Sequence, residues 1–324
     1  MGTRGSLAVR STVILALAIM TGFPGVVFPV LGQESAAQTL PSSEPVILRV
    51  TVRDKKGKLV DNMTESDFRV VENGKAQQLI LFSQAEPQPL TLGLLMQWSG
   101  QRRDALPYGE LDVASRFLQS LMRPSDRAFA AGFTSTVTVF SDLSDNPSEI
   151  ATRLRTAAGK ELYGPKALHD AIIWACQEKL SPRSGRRILL VVADGQDNSS
   201  KWALSAAIEV ALRTDTAIYF VSLVLANPFI TRDQRSTVPT LKRLAENLAE
   251  RTGGDVVFVT KQSEMEAAFT LILQELRGQY TLAYRSTNVA QDGKFRKVKI
   301  QSTRKGLSIH SRSGYYALEN QGRE

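Results

Sequence analysis

The chain has 324 residues, 43% of them hydrophobic and 22% charged, with a formal net charge of +8. Those proportions belong to a folded globular chain with one large domain, or one medium and one small, and exclude a disordered or collagen-like protein. The basic balance favours an anionic neighbour, yet Arg102–Arg103, Arg153/Arg155 and Arg186–Arg187 are its densest groups. With no aromatic-interleaved basic stripe, nucleic acid is not an expected partner.

Residues 1–32 read as an export signal. Arg4 and Arg10 give a positive start, Val13–Met20 a short apolar core, and Val30-Leu31-Gly32 a small-residue cleavage site before Gln33. The core is short for a membrane span and Pro24 and Pro29 follow it. Cleavage and export to the periplasm or the exterior is the expectation, leaving no membrane span; an uncleaved N-terminal anchor is the alternative. The cleavage region has no cysteine to carry a lipid. Cys176 is the sole cysteine, so no internal disulfide can form, and its place in "ALHDAIIWACQEKL" predicts a core thiol.

A polar linker, 33–45, precedes a β segment, 46–86. There "VILRVTVRD" alternates apolar and polar residues, and "DFRVVENGKAQQLILFSQ" reads as two strands joined by a tight turn at Asn73-Gly74. From 87 to 277 the pattern becomes strand–helix alternation. "LTLGLLM" is a continuous apolar run of the kind covered on both faces, "RILLVVADG" reads as another buried strand, and "TAIYFVSLV" and "DVVFVT" as strands. "RAFAAGF" and "VTVF" read as two further short strands. "LDVASRFLQSLM", "PKALHDAIIWACQEKL", "KWALSAAIEVALR", "TLKRLAENLAERTGG" and "SEMEAAFTLILQELR" are helical, the second carrying its proline near the start and the fourth closed by glycines. Residues 278–318 return to β, followed by a tail, 319–324. The expected fold is α/β: a doubly wound, mostly parallel sheet with helices on both faces, plus a small β domain in which 278–318 packs with 46–86. Sheets of this kind bind ligands beyond the carboxyl ends of their strands, here the loops "QWSGQ" and "DGQDNSS".

The order of these motifs resembles a von Willebrand factor type A domain over about Leu90–Arg277. The flanks "VTVRDKKGKLVDNMTESDFRVVENGKAQQLILFS" and "LRGQYTLAYRSTNVAQDGKFRKVKI…GYYAL" resemble the von Willebrand A-related proteins abundant in Acidobacteria. The resemblance implies a protein-binding module with a metal-ion-dependent adhesion site: Asp-x-Ser-x-Ser in one loop, Thr in a second and Asp in a third, all oxygen ligands for Mg²⁺. This chain departs from that pattern. Gln97 stands for the leading Asp, Ser99 fits, Gln101 stands for the last Ser, Lys166 for the Thr, and Asp194 is retained.

The departures remove negative charge and add a cation. If the loops converge, Lys166 places an ammonium opposite Asp194 and replaces the ion; if they have decayed, Lys166 points to solvent. Either way the expectation is a degenerate, metal-free site with no cofactor, weak Mg²⁺ binding at Ser99 and Asp194 being the alternative. Trp98, Arg102 and Asp197 are cleft neighbours, and Trp98 is either an exposed anchor or packed beneath the loop. A hydrolase using Asp194 and His169 is a competing reading, although "QWSGQ" is not a nucleophile elbow and nothing local poises His169. An inert structural component of the cell envelope is the third. The leading expectation is an exported, non-enzymatic protein that binds a protein partner at the envelope or outside the cell.

Overall fold

A computed structural model describes residues 44–84, 88–98, 108–157, 164–181, 183–225 and 232–319. The export signal and most of the linker lie outside them. Fourteen strands and six α-helices follow in chain order among the described residues. The flank contributes β1 (Val46–Arg53), β2 (Phe68–Glu72), β3 (Lys75–Gln77) and β4 (Leu79–Ser83). The α/β part runs β5 (Leu90–Gln97), α1 (Tyr108–Leu121), β6 (Arg127–Phe133), β7 (Val137–Ser144), α2 (Pro147–Ala157), α3 (Leu168–Trp174), β8 (Arg186–Ala193), α4 (Leu204–Arg213), β9 (Thr216–Ser222), α5 (Arg232–Thr252), β10 (Val256–Phe258) and α6 (Met265–Gly278). Four strands close the chain: β11 (Tyr280–Tyr284), β12 (Phe295–Ser302), β13 (Ser308–His310) and β14 (Gly314–Tyr316).

The α/β part is built on a six-stranded sheet in the order β10-β9-β8-β5-β6-β7. All its pairs are parallel except β6–β7, so the antiparallel strand lies at one edge. Strand alternation divides the core into two layers. Leu92, Leu94, Leu190, Val192 and Tyr219 pack with α1, α2 and α6 on one face. Leu95, Phe129, Leu189, Val191 and Phe220 pack with α3, α4 and helix residues Ala245 and Leu248 of α5 on the other. A sheet covered on both faces explains why its strands read as unbroken apolar runs. The doubly wound, mostly parallel α/β architecture is the one expected.

The flanks form two four-stranded antiparallel sheets, β13-β1-β11-β4 and β14-β12-β2-β3, around a third core that includes Leu48, Val50, Phe68, Tyr280 and Tyr284. Each sheet mixes strands from both ends of the described chain, with Val46 opposite Tyr284 and Val70 opposite Ile300.

Four local readings need correction. "DFRVVENGKAQQLILFSQ" makes three strands. Asn73 and Gly74 have φ of 46° and 85° and turn β2 back into β3, but β4 leaves for the other sheet and pairs with β11. Helix α2 is absent from the sequence reading although its signals are present: Asn146 Oδ1 accepts the amides of Ser148 and Glu149, and Pro147 opens the helix. Helix α3 begins at Leu168 rather than beside Pro165, for a reason given below, and passes into a π-helical turn over Ala175–Leu180. Helix α5 starts upstream at Arg232 and carries Pro239 within it, where exposed backbone leaves the lost hydrogen bond open to water.

Candidate functional site

Strands β5 and β8 are adjacent and parallel, so the loops leaving their carboxyl ends emerge side by side. Gln97 ends β5, and Asp194 follows β8 directly. The Gln97 side chain lies along Asp194 and makes two bonds: Nε2 donates to Asp194 Oδ2 at 3.0 Å, and Oε1 accepts from Asp194 N at 3.0 Å. Gly195, with φ of 84°, turns the chain so that Gln196 N reaches Asp194 Oδ1 at 2.9 Å.

The third contributor is Lys166. Its Nζ donates to Asp194 Oδ2 at 2.6 Å and to Gln196 Oε1 at 3.2 Å. The lysine side chain is 17% exposed and that of Asp194 12%. The pair therefore sits where charge is poorly solvated, and each charge depends on the other. Gln97, Lys166 and Asp194, singled out in the sequence, are thus brought together. Ser99, Gln101 and Arg102 lie outside the described residues. Trp98 is buried in the core at a centroid distance of 4.8 Å from Phe140, and its backbone N–H bonds Phe133 O. Of its two readings, the exposed anchor is not the one observed: the ring is buried.

The backbone around Lys166 explains its placement. Its N–H donates to Asn198 Oδ1 at 2.6 Å, and its carbonyl accepts from Asn198 N and Ser199 N. Ala167 N donates to Thr134 O. With these groups committed to other loops, the chain cannot be helical at Pro165–Lys166, and α3 starts two residues later. The first amides of α3 are met from the loop after β8. His169 N donates to Asp197 Oδ2 at 2.9 Å and Asp170 N to Ser200 Oγ at 3.1 Å. Ser200 N and Oγ also donate to the Asp197 carboxylate. Burial works against the charge of Asp197, but these bonds from Ser200 and His169 outweigh it and hold the carboxyl below its ordinary range.

In the reverse direction, Asp170 accepts the backbone amides of Lys201 and Trp202. His169 Nδ1 lies 3.2 Å from Trp202 O and 3.4 Å from Asp197 Oδ2. Both neighbours are acceptors, which selects the tautomer with the proton on Nδ1. Its Nε2 is buried with no hydrogen-bond partner among the described residues. Gln196, Asn198 and Ser200 lie in the loop that the sequence marked but received no individual role there, and Asp170 and Trp202 are site residues that the sequence reading did not single out. For those after β8 the signal was an unusually polar run, "DGQDNSSKW", too short and aperiodic to assign partners, whereas Asp170 lay within a helical segment that gave none.

Comparison with known proteins gives likeness of fold. No protein-family model and no curated protein matches the chain. Among solved structures, proximal thread matrix protein 1 from the mussel byssus matches at 11% identity with a TM-score of 0.50, over 64% of this chain and 51% of that one. The same protein with a zinc-occupied MIDAS motif matches at 10% identity with a TM-score of 0.50, over 64% and 50%. BatB from Bacteroides thetaiotaomicron matches at 15% identity with a TM-score of 0.42, over 58% and 97%. The chain spans about half the length of the mussel protein. The six-stranded sheet with helices on both faces is thus a fold shared with the mussel protein.

Proposed function

We propose that this chain is a non-enzymatic protein-binding module of the von Willebrand A kind in which the Lys166 ammonium takes the place of the divalent ion. The observation that carries this reading is the contact of 2.6 Å between Lys166 Nζ and Asp194 Oδ2, with both side chains largely buried. An ion at Asp194 and this ammonium compete for the same oxygen, and two positive charges at that spacing repel. The remaining donors are poor for Mg²⁺, which needs several oxygens in near-octahedral array. The Gln97 amide turns its oxygen to a backbone N–H rather than outward. The residues present do not fit a divalent cation, and the cleft is held by its own hydrogen bonds.

The test is calorimetric titration of the full chain with Mg²⁺ and Mn²⁺. The wild type gives no saturable heat, whereas Lys166→Thr with Gln97→Asp and Gln101→Ser binds. Micromolar binding by the wild type that disappears in Asp194→Ala overturns the reading. A hydrolytic role for Asp194 and His169 draws less support, because both Asp194 oxygens already accept hydrogen bonds and the His169 ring faces Asp197 and Trp202 O. Export to the periplasm or exterior rests on residues 1–32 and belongs to the same proposal; no helix among the described residues is long and apolar enough to cross a membrane.

A further inference from the structure

The tryptophan that stands out of the rim is Trp202, not Trp98. It is 61% exposed, the highest value among the exposed large hydrophobic residues described. An aromatic ring of that size left in water costs free energy that packing would recover, so its position calls for a reason.

Its backbone is pinned while its ring is exposed. Trp202 N donates to Asp170 Oδ1 at 3.1 Å, Lys201 N to the same carboxylate at 3.0 and 3.1 Å, and Trp202 O faces His169 Nδ1 at 3.2 Å. Because α3 and the loop exchange bonds in both directions, the peptide carrying the indole is ordered before any partner arrives. A preordered aromatic loses little further conformational freedom on binding, which is the property of a good anchor. Beside it Lys201 is exposed and makes no ion pair among the described residues.

The chemistry of the occupant follows from what the loop does and does not present. Asp170, Asp197 and Ser200 turn their polar groups into the loop's own hydrogen bonds, as does Oδ1 of the exposed Asn198. A sugar ring stacked on the indole would need such groups free for its hydroxyls. Beside the neutral Asn198 amide, what faces outward is one aromatic face and one ammonium, on a chain of net charge +8, so the charge offered to a partner is positive.

We propose that Lys201 and Trp202 anchor an acidic segment of a partner protein, the indole taking an apolar or aromatic side chain and the ammonium an adjacent carboxylate. This rests on the protein-binding reading above and names the partner's chemistry.

The probe is a labelled short synthetic peptide of Asp and Glu residues around one Phe, with a charge-reversed Lys version and cellohexaose as comparisons, read by anisotropy and calorimetry on the full chain. The acidic peptide binds saturably and the Lys version does not. Trp202→Ala weakens binding about thirtyfold, the scale of an interface anchor. Asp170→Asn, which loosens the loop without touching the ring, weakens it by a smaller factor. An unchanged thermal midpoint for Trp202→Ala, and a cooperative melt for Asp170→Asn, confirm that the variants fold. Binding of cellohexaose in place of the peptide overturns the proposal. Peptide binding that survives Trp202→Ala but is lost in Lys166→Ala also overturns it and leaves the cleft reading standing. No peptide binding to any form overturns this proposal, while the metal titration decides the cleft reading on its own.

Discussion

Lys166 and Asp194 hold opposite charges within one hydrogen bond of each other, in a place where neither is well solvated. Lys166→Ala leaves the carboxylate with the Gln97 amide and the Gln196 N–H alone. The expected cost is about 1–3 kcal/mol, below that of a fully buried pair because some solvent reaches the site. A double-mutant cycle with Asp194→Ala, read from urea midpoints, should return a favourable coupling between the two; independent effects would contradict it. Cys176 gives a second prediction at this scale. Full burial pushes its thiol up to about 12, with weak bonds from Thr214 and Thr216 opposing. It should therefore resist a thiol reagent at neutral pH in the native state and react only in denaturant. The residue types at 97, 166 and 194 pointed to loss of a cation site. The atomic arrangement did not follow from them: the two hydrogen bonds between Gln97 and Asp194 depend on the register of two adjacent strands, which a single loop sequence does not encode.

The loop after β8 and the first turn of α3 behave as one element. Asp197 ties them by accepting from His169 N and from Ser200. Its carboxyl is depressed in the folded state, so its contribution is fully present above the unfolded value of about 3.9 and is lost as pH falls through the lower folded value. The thermal midpoint of the wild type should thus exceed that of Asp197→Asn at neutral pH, with the gap closing under acid conditions; a gap independent of pH would refute the assignment. Where α5 hands over to β10, Gly254 offers a separate check. A Cβ there would lie 1.9 Å from the carbonyl oxygen of Ile218, and backbone cannot step aside as a flexible side chain can. Gly254→Ala should cost several times the ~1–3 kcal/mol usual for overpacking, measured by denaturant melts or by loss of soluble protein. Apolar periodicity identified most helices and the parallel strands because burial enforces it. It missed α2, whose capping residues carried the signal, and it placed the start of α3 too early because the competing partners of Lys166 lie in distant loops.

Charged residues connect the flanking β structure to the α/β part. Arg53 of β1 reaches Glu275 of α6 at 2.5 Å and Asp255 at 3.0 Å, and Thr51 Oγ1 donates to Glu275. Burial and the neighbouring Asp255 raise the Glu275 carboxyl, while Arg53 and His310 pull it down. Arg53→Met leaves two carboxylates without their cation and should cost about 3–5 kcal/mol. Since a raised carboxyl destabilises only once it ionises, the deficit should shrink as pH falls through the folded value toward the unfolded one. Residues 42–324 form one compact unit, so far-UV dichroism and tryptophan fluorescence should report a single coincident urea transition; two separated transitions would show that the flanks melt alone. The flanks were recognisable as β from alternation. That β3 and β4 belong to different sheets was not, because the crossover at Gln78 has no turn signal.

The position of β1 carries a cost in time. Lying between β11 and β13, it waits for partners made more than two hundred residues later. Until they emerge from the ribosome, Val46, Leu48, Val50 and Val52 form a sticky ribbon with both edges open. Such long-range closure is slow, and competes with pairing between neighbouring nascent chains. Refolding yield should therefore fall as protein concentration rises, and a holding chaperone that covers β1 should restore it.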